Sequence, residues 1–444
     1  MPNLPVEFID QMREMLGDDT PAFLRAMEAP AALALRLNPR RNDAEAAAEP
    51  YVEAPVPWEP LGRYLKPGAK PGAGVAHWVG AYYIQEASAM VSAAVLDARP
   101  GERVLDLCAA PGGKSTQIAA AMDNRGVLVS NDPEPARARA LAGNLERMGA
   151  ANALVVNALP GKLASRWPEI FDAVLVDAPC SGEGMFRRDP DARLEWRPQS
   201  PAGCAARQVE ILDCAAAMLR PGGRLVYSTC TFNRLENEGS VRAFLNRHPD
   251  FAPEDFRLAG IGGSEGGMLR VFPHRVRGDG HFVAKLRKAG APRPSRPVSC
   301  KPNPAARQLL DRLSGEIGPL PDWLTSMRVS LSGDRLLAVP DDAPDLNGIK
   351  VVTPGLWLLR AGRSHIEPEH PLAMALDHAR LIAALDDRQA AAFLAGEALP
   401  VDGPRGWTWV CWHGMPLGWG KQTGDTLKNH LPKGLRHTIF IDKF

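Results

Sequence analysis

Between Glu86 and Lys288, short apolar runs alternate with helix-period stretches: RVLDL, GVLVSN, ALVVN, DAVLVD and GRLVYST. Each run is bounded by Gly, Pro or Asp, and most are followed by a helical pattern. That alternation predicts an α/β fold with a mainly parallel sheet and helices on both faces. After Asp132, Leu141, Leu145 and Met148 recur at i, i+4 and i+7, and Gly149 follows as a stop signal, so a helix is expected there. Upstream, two short helical patterns precede Pro-rich runs, AEPYVEAPVPWEP and LKPGAKPGAG, which read as a weakly structured part of a small N-terminal domain or arm. Downstream, AGAPRPSRPVSCKPNPAAR lacks apolar periodicity and reads as a linker or an extended arm. Beyond it, LLAVP, VVTPGLWLLR, TWVCWHG and HTIFIDKF give a separate, partly β tail. The expected division is an N-terminal domain over residues 1–85, a core over 86–288, a linker over 289–304 and a tail over 305–444.

Composition narrows the class. The 444 residues are 45% hydrophobic and 23% charged, an ordinary globular balance. Net charge is only +1, so any nucleic-acid binding must use local basic surfaces rather than the charge of the whole chain. MPNLPVEFIDQMREML reads as an amphipathic helix and not a secretory leader, and no apolar stretch approaches the roughly 18 residues of a spanning helix. The seven cysteines, at 108, 180, 204, 214, 230, 300 and 411, form no CxxC pair and no zinc-spaced cluster. Free thiols in a reducing cytoplasm, with no metal, are the expectation.

VLDLCAAPGGKSTQIA sets a strand, a loop and a helix start in succession. Small residues at Ala109, Ala110, Gly112 and Gly113 let the backbone approach a ligand closely. Exposed amides at the helix start favour an anionic group such as a carboxylate. Asp132, at the end of the next strand, suits the two hydroxyls of a ribose. The string GGKST is not a Walker loop, because the required first glycine falls at Cys108, and a GxGxxG is absent. A tight turn without a ligand remains the plain alternative for this loop on its own.

Two further strand ends carry cysteines: DAVLVD runs into APCSGEG, and GRLVYS runs into TCTFNRLENE. Asp177, Cys180 and Cys230 should therefore meet at the carboxyl edge of the sheet, where open α/β folds bind ligands. Such a set suits pyrimidine chemistry. Carbon 5 of cytosine is too weak a nucleophile to take a methyl directly, but a thiolate added to carbon 6 makes it enamine-like. A carboxylic acid such as Asp177 would assist at ring nitrogen 3, and a second thiolate could remove the carbon 5 proton. Cys204, Cys214, Cys300 and Cys411 read instead as small hydrophobes, and Cys108 as a shaping part of the ligand loop.

CAAPGGKST, ND followed by RxRALxxNxxRxG, VDAPCSGEG and YSTCTFNRLENE resemble the Sun-type RNA cytosine-5 methyltransferases, as do RLNPR, YYIQEASAM and FPHRVRGDGHFVAKL. The resemblance spans about residues 30–290. It implies a Rossmann-like core that binds S-adenosylmethionine through Cys108, Ala109, Ala110, Pro111, Gly112, Gly113, Lys114 and Asp132. It also implies Cys230 as nucleophile, Cys180 as the residue assisting release, and Asp177 touching both cofactor and base. LGWGKQTGDTLKNHLPKGLR is similar to the tail of the bacterial RsmF-like subgroup, a PUA-like module. The subgroup acts on small-subunit ribosomal RNA, so RNA, most naturally 16S rRNA, is the implied partner of a monomeric protein whose N-terminal domain touches RNA. The alternatives are the same chemistry on transfer RNA or another RNA, a methyltransferase acting on a protein or small molecule, and a non-catalytic RNA-binding ribosome-assembly factor. In the tail, Lys421, Lys428, Lys433 and Arg436 could bind phosphates, with Trp412 and Trp419 stacking on bases. Two positions depart from the family pattern: Asn157 stands where an acid is usual, leaving only hydrogen bonding to the adenine edge, and His281 replaces an aromatic, which reads as packing or RNA contact.

Overall fold

A computed structural model describes residues 4–291 and 303–439. Five parallel strands form its centre, in the spatial order Leu219–Thr229, Phe171–Asp177, Arg103–Asp106, Val127–Asn131 and Ala153–Val156. Both faces of these strands are covered, which is why the sequence runs are almost continuously apolar rather than alternating. Leu105, Val129, Leu154, Val174 and Tyr227 point into one layer, while Val104, Leu128, Val155, Leu175 and Val226 point into the other. The helix Pro135–Arg147 buries Leu141 and Leu145 and is followed by Gly149 at φ 73°. His281–Lys288 lies antiparallel beside Leu219–Thr229. Strand order reverses between Arg103–Asp106 and Phe171–Asp177, so the crevice beyond their carboxyl ends is the expected ligand site.

The Pro-rich N-terminal run is more ordered than its composition implies. Val52–Pro55 and Gly62–Leu65 pair with Ala34–Leu37 and Tyr82–Ile84 in a four-stranded antiparallel sheet. Val52–Pro55 is an edge strand, where proline costs no ladder hydrogen bond, and four-residue strands are too short to show a clear alternation. The helices Val6–Leu16 and Thr20–Glu28 bury Phe8, Met12, Phe23 and Met27 against Phe186, Trp196, Phe232 and Phe272. Those partners flank both cysteine loops, so the N-terminus braces the site from outside the sheet.

The tail holds two four-stranded sheets, one over Arg328–Pro368 and one over Ile382–Asn429. Within the span of the first lies a shared element, since Val351–Thr353 pairs antiparallel with Ala153–Val156 and extends the central sheet. Trp407, Trp409 and Trp419 are buried in the tail's core, and the Trp419 indole N–H donates to the Glu369 carbonyl at 3.1 Å. Trp419 is therefore a packing residue and not a stacking platform. Residues 437–439 carry no strand, and the remainder of HTIFIDKF, most of the linker and Cys300 lie outside the described residues. Among those described, no helix is long and apolar enough to cross a membrane.

Candidate active site

The ligand loop follows the Arg103–Asp106 strand. Gly112 adopts φ 117°, a conformation that L side chains rarely reach, and the helix Gly113–Met122 starts directly after it. A Cβ on Gly113 would stand 3.3 Å from Cδ of Gln85, so the YYIQEASAM segment lies against the loop. Arg36 ties the N-terminal sheet to the same helix, donating to Thr116 Oγ1 at 2.7 Å. Asp106 is fully buried and accepts from Ser115 Oγ at 2.7 Å, while its other oxygen has no partner among the described residues. Burial pushes its carboxyl up to about 7. Burial likewise raises the Cys108 thiol, leaving it a packing group in the loop.

Asp132 ends the Val127–Asn131 strand's exit, buried, with one oxygen taking the Glu134 amide at 2.9 Å and the other 3.2 Å from Arg137. Small residues in the loop, exposed amides at a helix start and a buried carboxylate one strand away fit an amino-acid nucleoside such as S-adenosylmethionine. Asn157 is less free than its position in sequence implies. Its side-chain amide donates to the Asp132 carbonyl at 2.8 Å, and its backbone amide to the Lys350 carbonyl at 2.8 Å, beside the strand contributed by the tail.

Adjacent parallel strands put Asp177 opposite Ser228, and the loops that follow bring the thiols of Cys180 and Cys230 to 3.3 Å. Asp177 sits between three groups: Lys114 Nζ at 2.8 Å, Ser228 Oγ at 2.8 Å and His281 Nε2 at 3.6 Å. Burial alone would raise its carboxyl, but Lys114 and His281 outweigh that and hold it well below the usual carboxylate range. Asp177 is thus an acceptor in this site and not the carboxylic acid that the sequence reading gave it. Lys114 is likewise opposed by burial and held protonated by Asp177, Asp106 and Cys230. Cys180 keeps its proton, chiefly through its hydrogen bond to Cys230 and secondarily through burial.

Sequence reasoning read His281 as packing or RNA contact without its acidic neighbour, and missed two other residues. His281 is buried against Asp177, and its Nε2 has no hydrogen-bond partner among the described residues; its departure from the family's aromatic was the available signal. Glu183 and Glu236, both fully buried, lie in the loops after the two cysteines. An acid in each loop, with no basic residue beside it in PCSGEG, was the only trace they left in the sequence.

The tail's basic residues are elsewhere, on its last sheet and the turn after it. Lys421 and Lys428 are cross-strand neighbours, Lys433 is exposed, and the Arg436 guanidinium donates to the Leu431 carbonyl at 3.1 Å. The Trp412 indole N–H donates to Asp387 at 2.7 Å. Among the described residues no cluster of His, Cys, Asp and Glu could hold a metal ion.

A doubly wound sheet with a glycine-rich loop at its switch point and two thiols at neighbouring strand ends defines a cytosine-5 methyltransferase that uses S-adenosylmethionine. Residues 93–287 match the family of 16S rRNA methyltransferase RsmB/F. Residues 4–87 match the N-terminal domain of 16S rRNA methyltransferase RsmF, 318–376 its first C-terminal domain, and 380–437 its PUA domain. The chain is 33% identical to ribosomal RNA small subunit methyltransferase F of Erwinia tasmaniensis over 462 residues, covering 97% of this chain and 96% of that one. It is 34% identical to the Escherichia coli protein of the same name over 469 residues, with the same coverage. A crystal structure of a methyltransferase homologue from Pyrococcus horikoshii superposes with a TM-score of 0.54 at 30% identity, over 63% of this chain and 94% of that one. The chain belongs to the RsmB/F family of 16S rRNA methyltransferases, in its RsmF branch.

Proposed function

We propose that the chain methylates carbon 5 of a cytidine in small-subunit ribosomal RNA, with Cys230 as nucleophile and Cys180 as the base that permits release. The carrying observation is the 3.3 Å separation of the two thiols beside Asp177 and Lys114. Cys230 adds to carbon 6, and the double-bond pair moves to carbon 5. Bound S-adenosylmethionine, held by residues 108–114 and Asp132, supplies an electrophilic methyl on a positive sulfur. Loss of the Cys180 proton to solvent leaves a thiolate beside the adduct. The Cys180 thiolate then takes the carbon 5 proton, the ring double bond reforms, and Cys230 leaves as thiolate. One proton is released per methyl transferred.

Lys114 and Asp177 account for the choice of base. An ammonium donor beside a carboxylate acceptor complements the Watson–Crick edge of cytosine, an acceptor at nitrogen 3 and a donor at the 4-amino group. Uracil presents the reverse. The target base must leave any stack to reach this crevice. Residues 1–85 and 305–444 serve as RNA-contacting domains around the core, with Lys421, Lys428 and Lys433 as phosphate contacts and association weakening with salt. The relatives' printed names and the PUA-domain match support ribosomal RNA as the substrate. Bisulfite mapping of 16S rRNA and transfer RNA from cells with and without the gene tests the reading. Loss of protection at a 16S cytidine supports it. Loss confined to transfer RNA moves the substrate, and no change in any RNA leaves only an assembly factor.

A further inference from the structure

The two cysteine loops are held together by a reciprocal pair of buried carboxylates. Glu183 belongs to the Cys180 loop, yet its Oε2 accepts the backbone amides of Phe232 and Asn233, at 2.8 and 2.9 Å, just beyond Cys230. Glu236 belongs to the Cys230 loop, in the π-helical turn Leu235–Gly239, yet its Oε2 accepts the backbone amide of Ser181 at 3.0 Å, next to Cys180. Each acid therefore grips the main chain beside the other loop's cysteine. Gln208 Nε2 and Asn233 Nδ2 complete the set on Glu236, at 2.8 and 2.6 Å, with the Ser181 hydroxyl as a further donor. A backbone bond from Gly184 to the Cys230 carbonyl, 2.8 Å, closes the gap between the loops. Neither carboxylate has an ion-pair partner among the described residues, so N–H and O–H donors replace water around both. A glutamine in either place would put an NH2 group where the carboxylate offers a second acceptor oxygen to the surrounding donors.

We infer that Glu183 and Glu236 are positioning residues that fix the spacing of the two thiols, and that Glu236 in particular sets the rate of product release. The inference rests on the roles proposed for Cys230 and Cys180. Attack needs only Cys230 and the base, whereas release needs Cys180 held over carbon 5 while Cys230 is bonded to carbon 6. Loosening the clamp on the Ser181 side should therefore slow release more than attack. An uncompensated donor beside a buried amide is sufficient for roughly a tenfold or greater loss in the step that depends on it.

The test follows covalent enzyme–RNA complex and free methylated RNA separately, in single turnovers with tritium-labelled cofactor, for wild type, Cys230→Ala, Cys180→Ala, Glu236→Gln and Ser181→Ala. Cofactor affinity reports that each variant is folded, because the ligand loop and Asp132 lie on other strands. Glu236→Gln should form the complex within about threefold of the wild-type rate but resolve it roughly tenfold more slowly, and Ser181→Ala should shift the same ratio to a smaller degree. Attack and release falling together in Glu236→Gln, or a ratio unchanged in both variants, would overturn the clamp. If Glu236→Gln fails to bind cofactor, the Ser181→Ala ratio decides alone. A covalent complex in Cys230→Ala would instead overturn the nucleophile assignment, so the two failures are distinguishable.

Discussion

Replacing Lys114 by methionine removes the cation on which the electrostatics of the site depend. Lys114 Nζ stands 2.8 Å from Asp177 Oδ2, and both side chains are largely buried. At an effective dielectric of about 20, unit charges at that distance attract by roughly 6 kcal/mol. Much of this offsets desolvation, and deleting one partner of such a buried pair costs about 3–5 kcal/mol because the other charge is left unpaired. Asp177 would relieve that cost by taking a proton, since burial already pushes its carboxyl upward and Lys114 is the main opposing influence. Its edge would then offer cytosine a donor where the 4-amino group needs an acceptor. Single-turnover methylation by Lys114→Met at saturating cofactor should be slower by about 10²–10³-fold, the usual loss for one preorganised donor to developing charge. The variant's rate should also fall with acidity at a higher pH than wild type, because the carboxylate form that is needed titrates higher. The assay is tritium transfer into RNA as a function of pH. A rate within threefold of wild type, with an unshifted profile, would refute this account of Asp177 and Lys114.

Three further outcomes follow from other parts of the structure. Cys180→Ala should accumulate covalent enzyme–RNA complex, seen as a denaturant-resistant band, while free turnover at the wild-type rate would exclude Cys180 from release. Asp106, pushed by burial up to about 7, keeps a proton that the unfolded chain loses near about pH 4. Its contribution to stability is therefore greatest below that lower value and declines as pH rises through about 7. Asp106→Asn should accordingly match wild type in urea midpoint at low pH and exceed it above neutrality; a pH-independent difference would contradict this. At Gly149, φ is 73° and a Cβ would stand 2.6 Å from the Met374 carbonyl oxygen, so Gly149→Ala should cost about 1–3 kcal/mol and lower Tm. An unchanged melting curve would mean the core and tail are not packed tightly there.

The central sheet was legible because its strands are buried on both faces and punctuated by Gly, Pro and Asp, a pattern that survives without tertiary information. The cysteine pair was legible for a related reason: strand ends in an open sheet fall on one edge, so Asp177, Cys180 and Cys230 could be placed together from sequence order alone. What escaped depends on contacts between distant segments. Asp177 was assigned as an acid because nothing in DAVLVDAPCSG announces Lys114 beside it; that neighbour arrives from a helix start on another strand. Trp419 looked available because LGWGKQ has a polar surround, yet its strand faces the tail's core. Asn157 looked wholly free to meet adenine, and its side-chain amide also donates to the Asp132 carbonyl. Val351–Thr353 gave no sign that it pairs with the central sheet, because register across two hundred residues leaves no local trace. The RNA substrate entered through family resemblance rather than through charge, in keeping with a net charge of +1.

The most direct test of the central claim uses RNA carrying 5-fluorocytidine, in which fluorine at carbon 5 blocks the final deprotonation. Incubation with S-adenosylmethionine, digestion and peptide mass spectrometry should place one methylated nucleotide adduct on the peptide containing Cys230, and Cys230→Ala should give none. An adduct on the Cys180 peptide, or methyl transfer to unsubstituted RNA by Cys230→Ala, would contradict the account.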